Sequence, residues 1–254
     1  MANNKSWAKI FKDNKVLEND FSKGPFYLSA SMIKKSVQNF KKTAEKEVRI
    51  LCKIDNRKQL PEIMKENKMI LLPIKNGEYA IVKGEGFVDI PEIKGEPEIY
   101  NTKLGFELDT SKIGNSEMQH LDFAYASSLI RTFMDDPSLV LTIRGRKYTP
   151  EFDFRIDKQN IKVKGVQTEV DAGYEGEDKV VLVEAKNSTT KDTIIRQLYY
   201  PFRQWSEHTK KKVYLLFFEK RGKEYLIWQY GFKDKNNYNS IYLIKSKKYT
   251  ISKK

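Results

Sequence analysis

The stretch TEVDAGYEGEDKVVLVEAKN, Thr168 to Asn187, decides how the chain is read. Val180-Val181-Leu182-Val183 is a continuous apolar run, the pattern of a strand covered on both faces, and predicts a central strand. It runs straight into Glu184-Ala185-Lys186, with Glu169 and Asp171 just upstream. A buried strand has little use for charge at its end; an active site does. Side chains alternate faces along a strand. Glu184 and Lys186 therefore leave one side, and Gln167, Glu169 and Asp171 share a side of the preceding strand. The connection AGYEGED is short and turn-rich, so the two strands pair as a hairpin that brings Asp171 beside Glu184.

That grouping has a chemical use. Carboxylate oxygens suit a hard cation such as Mg²⁺, which can clamp a phosphate oxygen and lower the pKa of a bound water. A lysine beside them can hold the water or neutralise charge developing on phosphorus. The plain alternative for Glu184 and Lys186 is an ion pair at a strand end, contributing ~0–1 kcal/mol.

Outward from this hairpin, Ser116-Glu117-Met118-Gln119 matches a capping box and opens a helix that should end near Asp135-Asp136-Pro137. LVLTIRG and EFDFRID read as strands, and IKVKGVQTEVDAGYE as one strand or two with a bend at Gly165. A helix from about Thr190 carries Ile195, Leu198, Phe202 and Trp205, with Pro201 expected to kink or restart it. KKVYLLFFEK and EYLIWQYGF are further strands, and KSKKYTISKK reads as a frayed basic tail. Upstream, SASMIKKSVQNFKKTAEK (Ser29 to Lys46) reads as one basic amphipathic helix and EVRILCKI as a strand. QLPEIMKEN reads as a short helix, MILLPI and EYAIV as two strands joined by KNGE, and GEGFVDIPEIKGEPE as loops. The fold class is therefore α/β (α+β): a mixed central β-sheet flanked by helices at residues 113–254, preceded by an N-terminal mixed α/β domain at residues 1–112.

The 254 residues suffice for a sizeable core, with 47 Lys plus Arg against 34 Asp plus Glu, a net charge of +13. That excess points to a polyanion, nucleic acid being the commonest. Cys52 is the single cysteine and His120 and His208 lie far apart, which excludes an internal disulfide and a Cys/His zinc finger. No apolar run reaches membrane-spanning length, and the N-terminus lacks a secretory apolar region; a cytoplasmic protein of a bacterium or archaeon is the expectation.

Asp171, twelve residues, then Glu184-Ala185-Lys186 resembles the PD-(D/E)XK nuclease superfamily, and the run VQTEVDAGYE…VVLVEAKN…RQLYYPFRQW is similar to its bacterial type II restriction endonucleases. The likeness spans about residues 115–220 and departs from the pattern at Val170, where a proline often stands. It implies a restriction-endonuclease-like core. It also implies Asp171, Glu184 and the Ala185 carbonyl as metal ligands, with Glu117 on the preceding helix completing the set. Lys186 would position or activate water, and the helix after the motif would add Gln197. The activity implied is Mg²⁺-dependent, sequence-specific cleavage of double-stranded DNA by a homodimer, with Mn²⁺ able to substitute and no organic cofactor. Lys34, Lys35, Arg196 and Arg203 are candidate DNA contacts. A repair, recombination or modification-dependent nuclease of the same fold, or an inert DNA-binding protein, are the alternatives. Whether Glu169 belongs to the site is open.

Overall fold

The computed structural model describes residues 3–252, Lys112 by its backbone alone. The chain starts with α1 (Asn4–Asp13), which buries Trp7, Ile10 and Phe11. Next come β1 (Phe26–Ser29) and α2 (Ala30–Val37), whose N-terminus is capped by the Ser29 hydroxyl accepting the Met32 N–H at 3.2 Å. The helix expected to reach Lys46 stops at Val37, and a separate single turn, α3 (Thr43–Lys46), follows with no buried residue. EVRILCKI is not a strand: α4 (Val48–Leu51) buries Val48 and Leu51 while Ile50 is exposed. Val48, Leu51 and Ile54 stand three apart, so the sequence carries a helical stripe as well as an alternating one, and packing selects the helix. After α5 (Glu62–Glu66), with Pro61 at its N-cap, β2 (Met69–Lys75) and β3 (Glu78–Lys83) pair antiparallel, and β1 adds to β3 to make a three-stranded sheet. The hairpin turn places Gly77 at φ +74°, the left-handed region a glycine enters at little cost.

The remaining elements are β4 (Phe87–Asp89), β5 (Glu98–Asn101), α6 (Glu117–Ala126), α7 (Leu129–Met134) and β6 (Val140–Tyr148). They continue as β7 (Phe152–Ile156), β8 (Gln159–Val163), β9 (Gln167–Glu175), β10 (Lys179–Lys186) and β11 (Asp192–Ile194). Last come α8 (Arg196–His208), β12 (Lys212–Arg221), β13 (Glu224–Phe232) and β14 (Ile241–Ser252). A seven-stranded mixed sheet in the order β5-β14-β13-β12-β10-β9-β6 is the centre of this half. β10 runs parallel to β12 and antiparallel to β9, and the β10–β12 pair is spanned by α8. One sheet face packs on α6 and α7 through Leu121, Ala124, Ile130, Phe133, Val181 and Phe218. The other packs on α8 through Leu198, Leu182, Leu215 and Trp228. The molecule is thus mixed α+β, with a multi-strand mixed sheet flanked by helices.

Several local readings change. The helix opened by Ser116 is two helices. The Ser127 hydroxyl bonds back to the Phe123 carbonyl, and Ser128 adopts φ +67° between them, an alternative partner for helix backbone that serine readily supplies. Ser116 does cap α6, accepting the Gln119 N–H at 3.1 Å, but the Gln119 amide donates to the Thr110 and Ile113 carbonyls rather than back to the cap. β9 runs on through AGYE, so only Gly176-Glu177-Asp178 connects it to β10, and Glu175 accepts from Lys211 at 2.5 Å. Gly165, at φ +65°, separates β8 from β9. The second long helix begins at Arg196 because residues 192–194 pair with β4. The basic tail is an ordered strand: β14 pairs with β13 from Phe232↔Ile241 to Glu224↔Thr250, and Lys253 and Lys254 lie outside the described residues. Its lysines conceal the alternation of Tyr249 and Ile251; the open hydrogen-bonding edge of β13 makes it a strand.

The ladders also cross residue 112. β5 lies before it, yet pairs with β14. The β7–β8 hairpin lies after it, yet Phe152, Phe154 and Ile161 join the core of the N-terminal half with Trp7, Ile33, Leu71 and Ile81. Among the described residues no helix is long and apolar enough to cross a membrane.

Candidate functional site

The paired strands β9 and β10 bring the acidic motif together. Their register, Leu182↔Gly173 and Val183↔Ala172, continues toward Glu184 and Asp171. There the ladder gives way to a side chain, and Asp171 Oδ2 accepts the Ala185 N–H at 2.7 Å. Lys186 Nζ donates to Glu184 Oε1, with side-chain exposures of 24% for Lys186 and 11% for Glu184. Glu117, in the first turn of α6, accepts the Asn187 N–H at 3.2 Å through Oε1. The Asn187 side chain donates to the Asn115 carbonyl. The end of β10 is therefore stitched to the start of α6. On the opposite face Gln197, in the first turn of α8, lines a small cleft with Glu169, Glu184 and Pro201, its Oε1 accepting the Thr193 hydroxyl at 2.8 Å.

The electrostatics follow from this crowding. Burial pushes the Glu184 carboxyl up to about 7; Lys186 opposes the shift and Asp171 adds to it. Burial also raises Asp171, against the Ala185 N–H and Lys186, with Glu117 and Glu169 adding to the rise. Burial alone would lower Lys186, but Glu184, Asp171 and Glu117 outweigh it and the ammonium is held above its ordinary value. Glu117 and Glu169 thus lie within electrostatic reach of Asp171, one from α6 and one from β9 itself. A further contributor is Asp55 of the N-terminal half, which acts on Glu184; its carbonyl accepts the Ile194 N–H at 2.8 Å.

For a divalent cation the donor chemistry is right in kind. Among the described residues no group of three or more His, Cys, Asp or Glu side chains converges to hold a metal ion, so a protein cage for zinc or calcium does not fit. Mg²⁺ asks for less, usually one or two carboxylates with waters and substrate phosphates making up the rest. Asp171 and Glu184 fit that requirement. Ala185 is tied into the site through its amide N–H, and Glu117 is engaged with Asn187.

The candidate DNA contacts divide. Lys34 and Lys35 are exposed on α2. Arg196 is half-buried, and its charge acts on Tyr79, Tyr200 and Tyr238 of the core. Arg203 does not belong on the list. It is 4% exposed, donates to the Asp153 carbonyl at 2.9 Å and the Lys235 carbonyl at 3.2 Å, and lies over the Phe152 ring at 4.7 Å. The family resemblance gave it the same weight as Arg196; only packing separates them.

Three contributors carry no label in the sequence reading. Asn187 directly follows the motif and could have been found from its position. Asp55 and Glu219 could not, being remote in sequence. Glu219 is the register partner of Lys186 across β10–β12, fully buried, accepting the Thr190 N–H at 2.8 Å and paired with Arg221. No curated protein and no solved structure matches the chain. Residues 4–81 match the model of a domain of unknown function, DUF6996. Residues 82–250, more than half of the chain, match that of a second domain of unknown function, DUF6997, and the protein belongs to that family.

Proposed function

We propose that the protein is a Mg²⁺-dependent endonuclease of double-stranded DNA, a type II restriction enzyme built on a restriction-endonuclease-like core. The observation carrying this reading is the convergence of Asp171, midway along β9, with Glu184 and Lys186 at the end of β10, with Glu117 and Gln197 approaching from helices on opposite sheet faces. The +13 net charge favours the polyanionic substrate.

Asp171 and Glu184 would hold the cation. Bound there, Mg²⁺ supplies Lewis acidity to a phosphate oxygen and to a water. Lys186, bonded to Glu184, would orient the attacking water and neutralise charge as it develops on the phosphoryl oxygens. The Thr193 hydroxyl occupies Gln197 Oε1, which leaves the amide NH₂ as the donor toward the cleft. Glu117 fixes the Asn187 N–H and so the direction in which the chain leaves the site. Water attacks phosphorus, the bond to the 3′ oxygen breaks, and a 5′-phosphate and a 3′-hydroxyl result. Cutting both strands calls for two such sites and hence a homodimer.

The test is plasmid cleavage with Mg²⁺ by wild type, Asp171→Ala and Lys186→Ala. Wild type should cleave, and each variant should lose at least ~100-fold, the scale of losing one electrostatic or acid–base contributor. Undiminished cleavage by both variants sinks the site assignment.

A further inference from the structure

Strands β10, β12, β13, β14 and β5 are consecutive neighbours in the seven-stranded sheet. Their pairings bring Lys186, Arg221, Glu224, Ser252 and Asn101 to one end of it. From Asn101 the chain returns along that end to Glu117, where α6 begins against the end of β10. The returning segment is tied down near α6. The Gln119 amide donates to the Thr110 carbonyl at 3.1 Å, and the Asn187 amide donates to the Asn115 carbonyl.

Between this segment and the α6 face of the sheet lies a cavity of about 600 Å³. Phe123 of α6 and Tyr225 of β13 wall it, their ring centroids 6.2 Å apart, and Phe106 lines it while 69% exposed. Lys220 and Lys223 line it too. Lys220 Nζ lies 4.7 Å over the Tyr225 ring and donates to the Gly222 carbonyl. Among the described residues neither lysine has an ion-pair partner. Aromatic faces beside unneutralised cations suit a base with its phosphate; a mere packing gap would be apolar throughout.

The cavity adjoins the candidate active site. His120, which lines it, follows Glu117 by less than one helical turn. Its Nε2 bonds Asn115 Oδ1 at 2.8 Å, in the residue whose carbonyl accepts from Asn187. Burial and the Lys220 charge hold His120 below its ordinary value, so the neutral ring is available to hydrogen-bond a base edge. Lys220 directly follows Glu219, the register partner of Lys186. The Gln197 cleft lies on the other sheet face, so a strand crossing this end of the sheet meets both.

We infer that the cavity takes one unstacked nucleobase of the DNA strand, next to the phosphate held at Asp171 and Glu184. Phe106 and Phe123 stack on the base, and Lys220 and Lys223 attract its phosphate. This rests on the nuclease reading, which supplies the strand. A base inside a duplex has to leave its stack to enter, at a cost smallest where it is already unpaired. The cavity therefore makes the enzyme favour unpaired nucleotides beside its cut. A free nucleotide has the same chemistry, but continuity with the cation site favours the strand.

The experiment is equilibrium binding, in EDTA so that nothing is cleaved, of two short duplexes that differ only in one unpaired central adenine, and of free dAMP. It compares wild type, Phe106→Ala, Lys220→Gln, the double variant, and Lys162→Gln on the β7–β8 hairpin as control. Phe106 is exposed, so its truncation spares the fold. Wild type should bind the duplex with the unpaired adenine ~10-fold more tightly than the paired one, the scale of stacking one base on an aromatic ring. Each variant should shrink that ratio, the double variant should abolish it, and the control should keep it. Equal binding of the two duplexes by wild type, or a ratio that survives in the double variant, overturns the base pocket. So does dAMP binding that the variants abolish while the duplex ratio stands, which would assign the cavity to a free nucleotide. Wild type that shows the ratio yet fails to cleave with Mg²⁺ overturns the nuclease reading and leaves the pocket standing. Failure of wild type to bind either duplex overturns both.

Discussion

Replacing Arg203 with methionine separates a core arginine from a DNA-contacting one. The guanidinium is buried, donates to the Asp153 and Lys235 carbonyls and the Tyr199 hydroxyl at 2.9, 3.2 and 3.1 Å, and covers the Phe152 ring. Methionine keeps the length of the stem and removes every donor. A buried acceptor stripped of its partner costs about 1–3 kcal/mol. Part of that is offset, because a buried cation no longer has to be desolvated. The Lys235 carbonyl keeps the Tyr199 hydroxyl as donor at 2.6 Å, so two stripped acceptors less that offset leave a loss of about 3 kcal/mol. For a chain near this size each kcal/mol moves Tm by about 2–4 °C, so Tm should fall by about 6–12 °C. Lysine should rescue only in part, since its compact ammonium restores donors but not the planar guanidinium that covers the Phe152 ring. Differential scanning calorimetry reads the shift, and the salt slope of duplex binding, measured well below Tm, should equal that of wild type. A melting point within a degree or two of wild type, or a slope reduced by one phosphate's worth, would refute the core assignment.

Two further outcomes test the fold. Gly173→Ala would set a Cβ 2.6 Å from Ile143 Cβ and 2.9 Å from its Cδ1; overpacking costs about 1–3 kcal/mol, so Tm should fall and, with Asp171 two residues away, cleavage should fall with it. In Asp136 the Ser138 hydroxyl and backbone N–H and the Lys179 ammonium hold the carboxyl below its ordinary value, against burial. A depressed folded-state pKa gives stability that is present above the unfolded value and lost as pH falls through the folded one. Wild type should therefore lose this contribution below about pH 3.8, the ordinary value of the group. Asp136→Asn should be less stable at neutral pH and show a shallower decline in acid, as urea unfolding at a series of pH values would report.

The candidate site was legible because its signals are local. Asp171, Glu184 and Lys186 sit on two strands joined by a three-residue turn, and period-two alternation puts Glu184 and Lys186 on one face; at Asp171 the alternation breaks, Val170 and Ala172 burying on opposite faces of the sheet. Glu117 and Gln197 entered through the family resemblance, and the structure puts each in the first turn of a helix flanking that hairpin. The fold was legible wherever apolar periodicity was unambiguous, as in β10, β12 and β13. It was not legible in β14, where lysines hide a strand formed by the edge it pairs with, nor in Val48–Leu51, whose apolar spacing suits strand and helix alike.

By itself, the sequence determined the acidic hairpin, the mixed sheet between helices and the excess of positive charge, because these depend on residues close in the chain or on composition. Tertiary structure alone decided that Arg203 is core and that Asp55 and Glu219 approach Glu184 and Lys186 from remote segments. Burial and cross-strand register are set by what packs against a segment, and residues far along the chain supply that packing.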